Sequence, residues 1–112
     1  MKNTISLNQN TLFKRLYYRG RSFNSPYFVL YLMPNSKKIN RLGLTVSKKI
    51  GNAVKRNLVR RWIYEAFRLY EPQLKTGYNM VIVAKSAALD GDFHKIHRTI
   101  GGVLKKAELF SQ

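Results

Sequence analysis

Apolar positions along this 112-residue chain change their period from block to block, and each period predicts a different element. Leu12, Phe13, Leu16 and Tyr17 recur at helical spacing, which predicts a short helix over 11–20, with Thr11 as its cap and Gly20 at its end. Pro26 introduces the run YFVLYLM (27–33), rich in aromatic and branched residues, which predicts a strand broken by Pro34, Asn35 and Ser36. In LGLTVS (42–47) the residues Leu42, Leu44 and Val46 alternate with Gly43, Thr45 and Ser47, the pattern of a half-buried strand. Gly51 allows a turn, Asn52 is a good cap, and a long helix follows over 53–70, with Pro72 just past its end. NMVIVA (79–84) reads as a buried strand. Asp90, Gly91 and Asp92 open a last helix whose stripe is Phe93, Ile96, Ile100, Val103, Leu104 and Ala107, interrupted by Gly101 and Gly102. Residues 1–10 are polar and read as irregular. The order helix, strand, strand, helix, strand, helix implies an α+β fold, a layer of helices on a small sheet, in a single domain spanning 1–112.

The long helix is two-sided. At 100° per residue, Leu58, Val59, Trp62, Ile63, Ala66, Leu69 and Tyr70 fall within one arc of about 140°, the face expected to pack on the sheet. Arg56, Arg60, Arg61 and Arg68 share an opposite arc of about 140° with Asn57 and Tyr64. Leu58 lies at the border and is expected to lean toward the core. Lys48, Lys49 and the cap residue Asn52 stand at the helix start, where free N–H groups and the helix dipole favour an anion.

Charge turns this pattern into a hypothesis about a partner. The formal net charge is +16, and no acid precedes Glu65, so residues 1–64 carry fourteen basic groups unopposed. The rest carries seven basic against five acidic groups. Self-repulsion of that size does nothing for the stability of an isolated chain, and a polyanion explains it, nucleic acid first. Arginine suits bidentate phosphate contact better than lysine. The absence of cysteine excludes disulfides and thiolate metal sites and is compatible with a reducing cytosol. The first ten residues lack the apolar segment of a signal peptide, and the longest apolar runs are too short to span a bilayer, so a membrane partner is not expected.

Aromatics and acids refine the class. Phe13 and Tyr17 share one face of the first helix, and Tyr31 shares one side of its strand with Tyr27, Val29 and Met33. Such residues either fill a core or, beside basic groups, offer a stacking platform for single-stranded nucleic acid. Metal-dependent phosphodiester cleavage would need clustered carboxylates. Glu65, Glu71, Asp90, Asp92 and Glu108 are the whole supply, and they are scattered. His94 and His97 lack a third ligand or a nucleophile and read as packing or surface residues. No catalytic residue is therefore expected in this chain, and no metal ligand is assigned.

The segment SKKIGNAVKRNLVRRWIYEAFR (47–68) resembles the signature of the bacterial ribonuclease P protein subunit. The matching residues are Lys48, Lys49, Gly51, Asn52, Ala53, Val54, Arg56, Asn57, Arg60, Arg61, Glu65, Ala66, Phe67 and Arg68. The third position of the family's Arg-Asn-Arg motif is Leu58 here, which removes one possible RNA contact. The resemblance implies a small two-layer sandwich with three helices, a mixed sheet of about four strands and a left-handed β-α-β crossover. It implies an endonucleolytic holoenzyme that removes the 5′ leader of precursor tRNA. The catalytic centre and its Mg2+ would belong to the RNA subunit, with no cofactor in this chain. Lys48, Lys49, Asn52, Arg56, Asn57, Arg60, Arg61 and Arg68 would bind RNA. Phe13, Tyr17 and Tyr31 would line the cleft for the single-stranded leader. The implied partners are the catalytic RNA and precursor tRNA, with no DNA and no membrane, in a 1:1 complex in the bacterial cytoplasm. A ribosomal-type RNA-binding protein is the alternative that charge and size also allow.

Overall fold

The computed structural model describes residues 1–111. Its elements follow in the order β1 (Thr4–Ser6), α1 (Asn10–Arg19), β2 (Arg21–Asn24), β3 (Phe28–Pro34), β4 (Asn40–Thr45), α2 (Ala53–Tyr70), β5 (Tyr78–Ala84) and α3 (Phe93–Lys106). Short 3-10 turns occupy Lys48–Ile50, Glu71–Gln73 and Ser86–Asp90. The strands form one mixed sheet in the order β1-β4-β5-β3-β2. β4 lies parallel to both β1 and β5, whereas β3 is antiparallel to β5 and β2. The α+β class and the three helices are as expected, but the sheet has five strands where about four were implied.

The two unforeseen strands are the edges. β1 reads TIS and β2 reads RSFN, too short and too polar to show a period. Their pairing comes from longer neighbours, Thr4 opposite Asn40 and Phe23 opposite Leu30. Residues 1–10 are therefore not irregular throughout. β1 is also held from below: the Glu71 carboxylate, only 2% exposed, accepts the Asn3 N–H at 2.9 Å and the Thr4 hydroxyl at 2.7 Å.

Alternation along β3 separates the two faces of the sheet. Phe28, Leu30 and Leu32 are buried in the larger core with Met80 and Ile82 of β5. Val59, Ile63, Ala66 and Phe67 of α2 close that core with Ile96, Ile100 and Leu104 of α3. Each large side chain removed from water there contributes roughly 1.5–3 kcal/mol. The opposite face carries only α1: Leu16 and Leu7 cover Val81, and Phe13, Tyr31, Met33 and Val83 pack around them. β5, central and buried on both faces, shows the near-continuous apolar run that such a position requires.

Two local expectations change. Thr11 does not cap α1; the cap position is Gln9, without a side-chain hydrogen bond, and Thr11 lies inside the first turn. The buried line of α2 is also rotated from the one read by apolarity. Phe67, which falls between Arg56 and Arg60 around the helix, is wholly buried, while Leu58 and Leu69 are 38% and 48% exposed. Leu58 therefore points away from the core, since the sheet lies under the side of α2 that bears Val59, Ile63 and Phe67.

Candidate nucleic-acid interface

The start of α2 is set by local chemistry. Gly51 has φ of 152°, a conformation that favours glycine, and the stem of Lys55 passes over it. The Asn52 side chain accepts the Lys55 N–H at 3.0 Å, which fixes the first turn. Its oxygen is thus committed to the helix, and only its amide N–H groups remain for a partner. Lys48 and Lys49 project into solvent from the turn before the cap, anchored by buried Ile50 between them and Gly51.

The cations of α2 are not equivalent. Arg60 donates from Nη1 to Oδ1 of Asn57 at 2.9 Å, so this pair presents donors only. Arg68 binds Glu65 at 2.9 Å, the one ion pair among the described residues. Both partners are roughly half exposed, a geometry that contributes little to stability but lowers the charge that Arg68 offers. Arg61 is exposed and Arg56 half-buried, with no acid against either among the described residues. Among the arginines of α2, Arg56, Arg60 and Arg61 therefore carry charge that no ion pair offsets among the described residues.

The three aromatics selected from sequence come together on the sheet face that α1 only partly covers. Tyr17 meets Tyr31 edge-on with ring centroids 5.1 Å apart, and Phe13 lies 6.5 Å from Tyr17. Tyr17 remains 41% exposed. A groove of about 440 Å³ opens beside them, lined by Asn10, Phe13, Lys14, Tyr17 and Thr45. A second hollow of about 570 Å³ lies across Phe13 and brings Gly43 and Leu44 together with Arg60 and Tyr64 of α2. The arginine-bearing side of α2 and the aromatic groove thus adjoin through Phe13.

Two lining residues were not singled out from sequence. Gly43 lets the Phe13 ring lie on the sheet, since a Cβ there would stand 2.7 Å from Cζ of that ring. A glycine inside an alternating strand was the available signal, because it marks a close approach. Tyr64 was visible only as a member of the polar arc; its position beside Phe13 depends on how α2 crosses the sheet.

Three of the five acids are held by partners within the chain. Glu71 holds β1, Glu65 pairs with Arg68, and Asp92 caps α3 by accepting the Lys95 N–H at 2.9 Å. That bond holds the Asp92 carboxyl below the usual range. His97 stacks on Tyr70 with centroids 4.5 Å apart and faces Phe93 on its other side, as a packing residue does. No group of three or more His, Asp or Glu among the described residues is arranged to hold a metal ion. No helix is long and apolar enough to cross a membrane.

Comparison with known proteins places the chain in a family. The family model described as Ribonuclease P matches residues 1–108. A ribonuclease P protein component of Caldanaerobacter subterraneus is 42% identical over 100 residues, covering 89% of this chain and 86% of the relative. That of Natranaerobius thermophilus is 37% identical and covers 100% of this chain and 97% of the relative. The Staphylococcus aureus RNase P protein superposes with a TM-score of 0.86 at 34% identity, covering 95% of this chain and 97% of that one. The Thermotoga maritima RNase P protein gives 0.82 at 26% identity, covering 91% and 96%. These relatives favour the ribonuclease P reading over the ribosomal alternative. The chain belongs to the ribonuclease P protein family, the protein component of a ribonucleoprotein endoribonuclease.

Proposed function

We propose that this chain docks on the catalytic RNA of ribonuclease P through Lys48, Lys49, Asn52, Arg56, Asn57, Arg60, Arg61 and Arg68, and holds the 5′ leader of precursor tRNA against Phe13, Tyr17 and Tyr31. The observation that carries this reading is the adjacency of two surfaces: an aromatic groove on the open sheet face, and an arginine-bearing helix that meets it at Phe13. Stacking on aromatic faces tolerates any base, as a leader of variable sequence requires. Fixed cations along α2 neutralise phosphates and set the register of the RNA. The hydrolytic chemistry would come from magnesium held by the RNA, with no ligand from this chain assigned to it. The protein's own residues position strands and raise the local affinity for substrate. The complex is read as 1:1 and cytoplasmic, in a bacterium like those of the relatives.

Reconstitution tests this directly. The protein is mixed with a bacterial ribonuclease P RNA and precursor tRNA at low magnesium, and 5′ cleavage is followed. A clear gain over RNA alone is expected. Equal cleavage with and without the protein would sink the reading.

A further inference from the structure

We propose that the outer face of α3 is a second docking surface for the phosphate backbone of the catalytic RNA; this rests on the RNA-binding reading above. His94, Lys95, Arg98, Gly102, Lys105 and Lys106 are all exposed and fall at i, i+3 and i+4 spacings, so they form one stripe. The stripe runs for about 18 Å along the helix. α3 contains no acid, and no acid pairs with its cations among the described residues. An ordinary solvated face mixes both signs.

Lys105 and Lys106 stand in the last turn, where the dipole favours cations, but two other positions of the stripe do not serve the helix. Lys95 sits in the first turn, where the helix dipole opposes a cation and the cap carboxylate of Asp92 is the acid beside it. Gly102 lies at the centre of the stripe, in the helix interior, where glycine is unfavourable. Its neighbour Gly101 is explained by packing, because a Cβ there would meet the Tyr70 ring. A Cβ at Gly102 would meet nothing within 4 Å, so the fold does not require that glycine. A bare position flanked by cations lets a partner's backbone approach the helix closely.

The chemistry favours RNA over an acidic protein. None of the exposed large apolar residues belongs to α3, so the stripe lacks the anchors of a protein interface. α3 also packs on the sheet face opposite the aromatic groove, so a leader seated there does not reach it. The catalytic RNA is therefore the partner assigned.

The test titrates the full chain with a bacterial ribonuclease P RNA, with precursor tRNA and with polyglutamate over a range of salt. Lys95→Gln/Arg98→Gln/Lys105→Gln is expected to weaken binding to the catalytic RNA by about tenfold or more, and to reduce the salt slope by about two to three. Gly102→Ala is expected to raise Tm by about 4 °C through helix propensity, yet to weaken the same binding several-fold. A merely structural glycine would not separate those two readouts. Parental affinity and slope in both variants would overturn the proposal. So would a loss confined to precursor tRNA, or one seen only with polyglutamate. Arg56→Gln/Arg60→Gln separates the two readings. If this α2 variant loses affinity and the α3 variants do not, the α3 surface alone falls; if none loses affinity, RNA docking falls with it.

Discussion

The ring of Phe13 rests on the backbone of Gly43: a Cβ there would stand 2.7 Å from Cζ and 3.0 Å from Cε1 of that ring. Gly43→Ala should therefore displace Phe13 from the groove, with the new methyl also 3.1 Å from the Leu7 carbonyl oxygen. If Phe13 stacks a leader base, the reconstituted complex should lose its preference for precursor over mature tRNA. Stacking of about 1–3 kcal/mol per base corresponds to roughly 5- to 150-fold. An unchanged preference would remove Phe13 from the leader path.

Arg60 and Arg68 lie on the same side of α2 but should behave differently. Arg68 already binds Glu65, whereas Arg60 is held outward by neutral Asn57. Arg60→Gln should lower the salt slope of RNA binding by about one. Arg68→Gln should change it by less than half as much. Equal slopes in a salt titration would show that the Glu65 pair opens on binding.

Glu71→Ala should loosen β1. It removes the acceptor for the Asn3 N–H and the Thr4 hydroxyl, both otherwise buried or half-buried. Hydrogen bonds to a charged group contribute about 1.5–3 kcal/mol, and urea denaturation should show a loss in that range. Amide exchange should rise first at Leu7, whose N–H donates to the Leu42 carbonyl. Uniform faster exchange across the sheet would instead mean that Glu71 supports the whole fold.

Gly101→Ala should destabilise the chain by about 1–3 kcal/mol, because its Cβ would lie 2.8 Å from Cζ of Tyr70 and closer to the hydroxyl oxygen. Tyr70→Phe removes that oxygen, together with its hydrogen bond to the His97 carbonyl at 3.1 Å. In the double variant part of the Gly101→Ala cost should disappear, and a thermal double-mutant cycle measures it. Strict additivity would mean that the helix backbone absorbs the methyl group.

The cap of α3 predicts an acid limb in the stability profile. The Lys95 N–H lowers the Asp92 carboxyl from its ordinary value of 3.8. A group with a depressed folded value contributes stability that is complete above the unfolded value and is lost as pH falls through the folded one. Asp92→Asn keeps an acceptor for the cap but cannot titrate, so the drop in Tm below pH 4 should be shallower than in the parent. Parallel profiles would assign the acid limb to another carboxylate.

Much of this fold is legible in the sequence wherever one residue decides locally. Gly51 and Asn52 mark the start of α2 because a turn and a cap act within a few residues. β1 and β2 are illegible because their partners lie elsewhere in the chain, and TIS and RSFN have no period of their own. The covered face of α2 departs from its apolar stripe for a related reason. Apolarity ranks Leu58 and Leu69 with Val59 and Ile63, but the position of the sheet decides which are covered, and it covers Phe67 instead. The candidate interface divides the same way. Phe13 and Tyr17 could be paired from their spacing, whereas the hollow that Phe13 shares with Arg60 and Tyr64 depends on the crossing of α2 over the sheet.

The bond from Thr4 to Glu71 spans 67 positions, and this has a consequence for synthesis. The first strand leaves the ribosome early, yet its sheet partner begins at Asn40 and its anchor at residue 71 emerges later still. Until then the N-terminal segment has nothing to fold onto, although domains are made from that end. It is a basic, unpaired segment in a nascent chain whose first 64 residues carry no acid. β1 is thus locked only after Glu71 has been made, long after its own synthesis. Slower translation around codons 40–71 should therefore lengthen the time that segment stays open.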